Sequence, residues 1–403
     1  MVENFNKPFT QQEAIGEETI NHVAEILRSG RLHRYNTLGD EMSQAALLEK
    51  EYAKWQGVKY CLATTSGGQA MQIALRAVGV RPGDKVLANA YTLAPVPGAI
   101  YAVGAIPAFV EIDDNWHTDL VDLRAKAQAS GARYFMLSHM RGHIADMDGI
   151  MEICHDLNIQ LIEDCAHTMG AKWRGVRSGN FGKVACFSTQ TYKHLNSGEG
   201  GFLTTNDDEI AARAVVGSGS YMLYAKHGTI PPEEAFQKVR LDSPNCSARM
   251  DNVRASILRP QLCAIEENIR RWNIRYAILE QGFGKAPGIT IVPRKQYEAF
   301  VGSSIQFRAD GIGVDAITDF IAGCNGRGVE IKWFGAAEPV AFTSRYDSWR
   351  YLGQLDELPK TLHVLSTTCD MRVPLTFDEG DCQDVANIVV NEANKIMESR
   401  SEF

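Results

Sequence analysis

Short apolar runs alternating with longer helical patterns predict an α/β fold. The expected architecture is a large domain with a mainly parallel seven-stranded sheet flanked by helices, followed by a small α+β domain. Two observations carry this expectation. Between about residues 58 and 205, the runs Lys59–Ala63, Lys85–Ala88, Ile106–Ile112, Tyr134–Leu137, Gln160–Ile162, Val184–Phe187 and Gly201–Thr204 read as strands, with helical patterns near 68–80, 95–103, 119–130 and 146–157 between the earlier ones. From about residue 288 the pattern changes to the short strands Thr290–Val292, Ser303–Arg308, Val329–Lys332 and Met371–Val373, with helices near 313–325 and 381–398.

The connecting element is a helical stretch, Arg249–Gln281, with apolar positions about every 3.6 residues. It reads as a spine leaving the large domain. The expected division is therefore 1–280, including an N-terminal helical segment and the spine from about 249, and 281–403. Ahead of residue 58, the basic knot Arg31-Leu-His-Arg34 is expected to pack back on the large domain.

Composition narrows the function classes. The chain has 403 residues, 45% hydrophobic and 22% charged, with 41 Lys and Arg against 49 Asp and Glu, for a net charge of −8. This is ordinary globular composition. Scattered basic residues on a mildly acidic chain argue against nucleic-acid or membrane-surface partners, and no apolar run approaches the ~18–20 residues that span a bilayer. The N-terminus lacks the basic and apolar regions of a secretory leader. Nine cysteines, from Cys61 to Cys382 and never as Cys-x-x-Cys, predict neither a disulfide framework nor a zinc site. A cytoplasmic location and no metal are expected.

Three motifs carry chemistry. Thr64-Thr65-Ser66-Gly67-Gly68-Gln69-Ala70-Met71 lies between a strand and a helix, where glycines allow a tight turn and leading helix amides form an anion site. It is neither the dinucleotide glycine fingerprint, which disfavours a nicotinamide dehydrogenase, nor a Walker loop. Leu161-Ile162-Glu163-Asp164-Cys165-Ala166-His167 is an apolar strand ending in acids, at the sheet edge where ligands bind. Phe187-Ser188-Thr189-Gln190-Thr191-Tyr192-Lys193 runs through His194 into a glycine-rich turn and brings a lysine to the same edge. Singly, each has a bland use: an empty turn, a capping acid, a solvated lysine, a structural His167. Together they supply a phosphate cradle, an acid and an amine, the set that pyridoxal phosphate needs. The lysine forms a Schiff base with its aldehyde and later carries a proton, and the acid keeps the pyridine nitrogen protonated.

At these residues the chain resembles the DegT/StrS-type sugar aminotransferases, a branch of the fold-type I pyridoxal phosphate enzymes. The resemblance rests on an ordered series. It comprises Ser66-Gly67, Arg81-Pro82-Gly83-Asp84-Lys85-Val86, Val103-Gly104-Ala105 with Pro107, His139-Met140-Arg141-Gly142 with Ala145-Asp146-Met147-Asp148, Glu163 to His167, Ser188 with Lys193, Ser197 to Gly201, and Arg249-Met250. It implies an aspartate-aminotransferase-like large domain, Lys193 as the Schiff-base lysine and Asp164 as the partner of the ring nitrogen. Ser188 and the backbone at Gly67, Gly68 and Gln69, next to Ser66, would hold the phosphate, with His167 by the ring hydroxyl. It also implies homodimers with active sites at the subunit interface.

Two positions depart from the family pattern. Leu93 follows Tyr91-Thr92 where an aromatic residue often stacks on the cofactor, leaving Tyr91 as a substitute. Ser247 stands where an Asn often reaches the neighbouring subunit's phosphate, with Asn245 close by. The implied reaction moves an amino group from glutamate or glutamine to a keto-sugar, often nucleotide-linked, or a keto-cyclitol. Arg31, Arg34, Tyr35, Arg141, Lys226, His227 and Trp333 are candidate acceptor contacts, and an Arg-rich entrance would suit a phosphate or carboxylate. The alternatives are elimination or dehydration on a sugar, or a non-catalytic cofactor-binding regulator. The dehydratase branch replaces the lysine with histidine, whereas this chain keeps Lys193.

Overall fold

The computed structural model describes residues 3–341 and 343–401. Its centre is a seven-stranded sheet built from β1 Tyr60–Thr64, β2 Lys85–Asn89, β3 Ile106–Val110, β4 Tyr134–Ser138, β5 Gln160–Asp164, β6 Val184–Ser188 and β7 Gly201–Thr205. The strand order is β1-β7-β6-β5-β4-β2-β3. Only β7 runs against the others, pairing antiparallel with both β1 and β6. The strands are nearly continuous apolar runs, as expected of a sheet covered on both faces. Two apolar cores bear this out. Val86, Ala88, Met136 and Ile162 pack in one, and Leu87, Phe135, Leu137 and Leu161 in the other.

The covering helices start where the sequence offers a side-chain acceptor. Ser66, Asp119, Asp146 and Asp207 each accept from a backbone N–H in the first turn of the helix that follows. Such caps contribute about 1 kcal/mol each. Those at Ser66, Asp119 and Asp146 set where the chain turns into helix at the ligand edge, whereas Asp207 does so at the opposite edge, after the antiparallel β7.

The expected spine is two helices, Asn252–Cys263 and Ile265–Phe283. They meet at Ala264, and the second helix passes from one core to another along its length, Ile265 still packing with the first helix's residues. Leu258 and Leu262 pack with β1, β6 and β7, while Tyr276, Leu279 and Phe283 pack with the C-terminal strands. The latter form an antiparallel sheet of Ser304–Arg308, Thr368–Arg372 and Lys332–Trp333. Thr290–Val292 is not a strand: only Thr290 bridges, to Arg308. Phe5 and Phe9 join the C-terminal core through edge contacts with Phe377, with ring centroids 4.9 Å apart in each case. No described helix is long and apolar enough to cross a membrane.

One residue of the basic knot, Arg34, folds inward onto a carboxylate, while Arg31 pairs with Glu41 near the surface. Glu49 accepts Arg34 Nη1 and Nη2 at 2.9 and 2.8 Å, and the amides of Ala63 and Gly228 at 2.9 and 3.0 Å. Both side chains are fully buried. Removing one member of such a pair leaves an uncompensated charge, at a cost of about 3–5 kcal/mol. Glu49→Gln is therefore expected to lower stability by about that much, read as a fall in the urea unfolding midpoint. A change below about 1 kcal/mol would show that the pair is not holding the N-terminal segment to β1.

Candidate active site

The parallel strands deliver their C-terminal ends to one edge, and pairing register aligns the polar residues there. Ser138 stands beside Asp164, and Ser188 and Thr64 both stand opposite Gly201. Successive strand side chains face opposite ways, which gives the two adjacent acids different surroundings. Glu163 accepts the amides of Gly179, Phe181 and Gly182 at 2.9, 2.9 and 2.7 Å, and lies 3.1 Å from His139 Nε2. Burial raises its pKa, but His139 and these amides outweigh that and hold it below the usual value. Glu163 is fully engaged in holding the loop after β5. His139, Glu163 and Cys165 stand close enough together to suggest a metal site, but this set of bonds leaves Glu163 little to offer an ion.

Asp164 has a sparser environment. Its Oδ2 accepts Ser138 Oγ at 2.9 Å and its Oδ1 accepts the Ala166 amide at 3.1 Å. Burial raises its pKa, and these bonds and Lys193 only partly offset the shift. A buried carboxylate in this condition gains from a cationic partner. Ser138 is itself fixed by Asn89, whose Oδ1 accepts the Ser138 amide at 2.8 Å and whose Nδ2 donates to the Ser138 carbonyl at 3.1 Å.

The amine faces this carboxylate. Lys193 Nζ lies 2.9 Å from His167 Nε2. Burial, then Arg141, lowers the lysine pKa to about 7 against the pull of Asp164. His167 is pushed well below its ordinary value by burial and by Lys193, so its ring is neutral beside the amine. His194, the next residue, turns away to Ser303 Oγ at 3.0 Å and packs edge-on against Trp272.

The glycine turn abuts the end of β6. A β-carbon on Gly67 would lie 2.9 Å from Ser188 Cβ, and one on Gly201 would lie 2.6 Å from the Gly67 nitrogen. Glycine is required for this approach, which sets leading helix amides next to the Ser188 hydroxyl. The Gln69 amide is already bound to Ser66 Oγ at 3.1 Å, so Gly67 and Gly68 are the amides left to an anion. An anion cradle, a buried carboxylate short of a cation and a buried low-pKa amine are the donor set that pyridoxal phosphate fits.

The remaining candidates fall elsewhere. Tyr91 is fully buried, edge-on to Phe334 with centroids 5.0 Å apart. Ser247 lies on an exposed turn at φ +48°, its amide 3.0 Å from Asn245 Oδ1. Arg34 is bound to Glu49, Tyr35 Oη lies 2.8 Å from His227 Nε2, and Trp333 Nε1 donates to the Ser366 carbonyl at 2.9 Å. None of these four lines the cleft beside Lys193, and neither do Asp164, Ser188 or Gly67, whereas Arg141 does, together with His167, Tyr192 and Arg372. Ser138, Asn89 and Arg372 were not singled out from the sequence. Ser138 had a signal, since it ends the strand before Asp164's; Arg372 lies 179 residues after Lys193 with no local motif.

Known proteins match this chain at several levels. The model of the DegT/DnrJ/EryC1/StrS aminotransferase family covers residues 13–390. The chain is 34% identical over 213 residues to the putative L-glutamine:3-amino-2,3-dideoxy-scyllo-inosose aminotransferase of Micromonospora echinospora, which is 52% of this chain and 49% of that protein. It is 32% identical over 260 residues to the UDP-2-acetamido-2-deoxy-3-oxo-D-glucuronate aminotransferase of Pseudomonas aeruginosa, 64% of this chain and 67% of that one. The chain thus spans about half to two-thirds of the length of these curated relatives.

Among solved structures, S. venezuelae DesV in complex with a ketimine intermediate superposes with a TM-score of 0.78 at 25% identity, over 93% of this chain and 94% of that one. The 3-amino-5-hydroxybenzoic acid synthase structure gives 0.82 at 23% identity over 98% and 100%, and shows the shared fold. With a family model that takes in nearly the whole chain and every motif of the site, the chain belongs to the DegT/DnrJ/EryC1/StrS aminotransferase family, whose members depend on pyridoxal phosphate.

Proposed function

We propose that this chain is a pyridoxal phosphate-dependent aminotransferase that moves an amino group from glutamate or glutamine to a keto-sugar or keto-cyclitol. We assign it to the cytoplasm as a homodimer whose active sites lie at the subunit interface, with the division near residue 280 separating the cofactor-binding part from the C-terminal part. The observation that carries the reading is the Lys193 amine, 2.9 Å from a neutral His167 and brought down to a pKa of about 7 by burial and then Arg141, against the pull of Asp164. Relatives named for amination of keto-sugars and cyclitols support the substrate class.

When bound, pyridoxal phosphate supplies an aldehyde that condenses with amines and a ring that takes up the electron pair left by a broken C–H bond. The residues divide the remaining work. Lys193 Nζ, brought down to a pKa of about 7 by burial, would hold the cofactor through its aldehyde, and when free would take a proton from the substrate carbon and return one. Asp164 holds a proton at the ring nitrogen, and Ser138 and the Ala166 amide keep its oxygens oriented. His167, with its Nε2 2.9 Å from Lys193 Nζ, steers the amine. Gly67, Gly68 and Ser188 bind the phosphate oxygens through amides and a hydroxyl. Ser247, standing where the family's Asn reaches the neighbouring subunit's phosphate, would make that contact in its place, and Tyr91, enclosed against Phe334, is given no contact with the ring.

The test is spectroscopic. Purified protein loaded with pyridoxal phosphate should be yellow, bleach with glutamate or glutamine, and regain colour with a keto-sugar or keto-cyclitol while an aminated product forms. Bleaching with no aminated product from any such acceptor would reject transamination of this substrate class. The low lysine pKa also sets a pH dependence. An amine with a pKa near 7 is nucleophilic above that pH, so cofactor capture by the apoprotein should accelerate up to about pH 7 and then level off. Acceleration continuing to pH 10 would mean that the capturing lysine is an ordinary exposed one.

A further inference from the structure

The lysine that faces Asp164 sits on a stretch with no ladder of its own. The described residues 189–200 join β6 to β7 and form neither helix nor strand. Their own bonds close the neck of the loop. The Thr189 amide donates to the Gly200 carbonyl at 2.9 Å, and the Ser197 amide donates to the Thr189 carbonyl at 3.0 Å. Lys193 lies toward the tip, on a flexible stem whose reach alone does not fix Nζ. The hold on the tip comes from other elements. Asn196 exchanges bonds with Gln261 of the helix Asn252–Cys263, its amide donating to Oε1 at 2.8 Å and its carbonyl accepting Nε2 at 2.7 Å.

The residue next to the lysine is held more closely still. His194 is buried, its Nε2 lies 3.0 Å from Ser303 Oγ, and its ring stands edge-on to Trp272 with centroids 5.2 Å apart. Both contacts are fastened to one residue of the C-terminal part. The Val373 amide donates to the Ser303 carbonyl at 2.9 Å, and the Trp272 indole donates to the Val373 carbonyl at 3.0 Å. Ser303, Trp272 and Val373 thus form one frame, with His194 seated in it. Burial, then Lys193, pushes the His194 pKa down to about 3, so its ring is uncharged and sets no further cation beside the amine. On the other side of the lysine, the Tyr192 ring lies 3.6 Å from the guanidinium of Arg372, the residue before Val373. Both neighbours of Lys193 are therefore held from the C-terminal part, while Nζ itself lies 2.9 Å from His167.

We propose that His194 is a positioning residue for the reaction: docked on the frame of Ser303, Trp272 and Val373, it sets where Lys193 Nζ stands. The proposal rests on the assignment of Lys193 as the amine that holds the cofactor, and adds that C-terminal residues outside the site motifs determine the geometry of that amine. A misplacement of about 1 Å at a reacting group costs up to about 10²-fold in rate. A loosened tip also lets water reach Nζ, which weakens the effect of burial and lets the lysine pKa climb back toward its ordinary value.

The test compares His194→Phe, which keeps a ring against Trp272 but has no nitrogen for Ser303, with Ser303→Ala, Ser303→Thr and the double variant His194→Phe/Ser303→Ala. Capture of pyridoxal phosphate by each apoprotein is timed across pH. Bleaching of each loaded protein by glutamate or glutamine gives a maximal rate and a half-saturating concentration, and urea unfolding gives stability. His194→Phe and Ser303→Ala are each expected to slow capture at pH 7 about tenfold and to move its midpoint above about 7. The maximal bleaching rate should fall about tenfold, with the half-saturating concentration changed less than about twofold. Ser303→Thr keeps the hydroxyl and should behave like the wild type. The double variant should lose no more than either single one, because the two residues make one contact. A lower urea midpoint with capture and bleaching unchanged would make His194 a packing residue and overturn the proposal, as would single losses that multiply in the double variant. If His194→Phe fails to fold, Ser303→Ala, at a partly exposed position, decides. Borohydride label on a lysine other than Lys193 in the wild type would defeat the assignment of the amine and this role with it. Label on Lys193, with variants that capture and bleach like the wild type, would defeat only the role of His194.

Discussion

Lys193→Ala is expected to abolish the visible absorption of the loaded protein and to lower turnover at least about 10³-fold. A positioned proton carrier alone contributes about 10²–10⁴, and this residue is also assigned the bond to the cofactor aldehyde. The surroundings say why no neighbour substitutes. His167, hydrogen-bonded to Nζ, is neutral and a weak base where it lies, because burial above all, and Arg141 after Lys193, suppress its protonation. His194 points to Ser303 with its pKa pushed down to about 3. Added methylamine should restore part of the activity, since the variant leaves a cavity next to His167. An unaltered spectrum would place the cofactor bond on another lysine.

Asp164→Asn is the second large effect. The carboxamide can keep the bonds to Ser138 and the Ala166 amide but cannot hold a proton on a pyridine nitrogen. Losing a buried charge partner costs about 3–5 kcal/mol, and if that interaction is lost in the transition state the rate falls about 10²–10⁴-fold. The variant should still capture pyridoxal phosphate, because the amine and the anion cradle remain, but its absorption should shift and its turnover fall by that factor. Full activity would remove Asp164 from the chemistry. Glu163→Gln serves as the contrast: with three amides and His139 on its carboxylate, its loss should appear as lower stability rather than as a shifted cofactor spectrum.

The sheet was legible because each strand is a short apolar run ended by a polar residue or glycine, and that ending is also what places Asp164, Ser188 and Gly67 at one edge. The break at Ala264 was not legible, since a 3.6-residue pattern continues through it and Ile265, just past it, still packs with Leu258 and Leu262. Arg34 misled for a related reason. In sequence it belongs to a basic knot suited to a surface, and its partner Glu49 is an ordinary helix residue whose burial depends on how the helix packs against β1. The motif side of the Lys193 cleft lies within local segments, but its other wall comes from Ser303, Ser304 and Arg372, brought in by the antiparallel pairing of the C-terminal sheet. Thr290–Val292 failed as a strand because one bridge to Arg308 is all the pairing that edge offers it.

The claim that everything else depends on is the bond between one lysine and the cofactor, and reduction with borohydride reads it directly. The loaded protein, reduced, digested and mapped by mass spectrometry, should carry a phosphopyridoxyl group on the peptide containing Lys193 and nowhere else in stoichiometric amount. The same label on a different lysine, or none on a protein that has taken up pyridoxal phosphate, would contradict it.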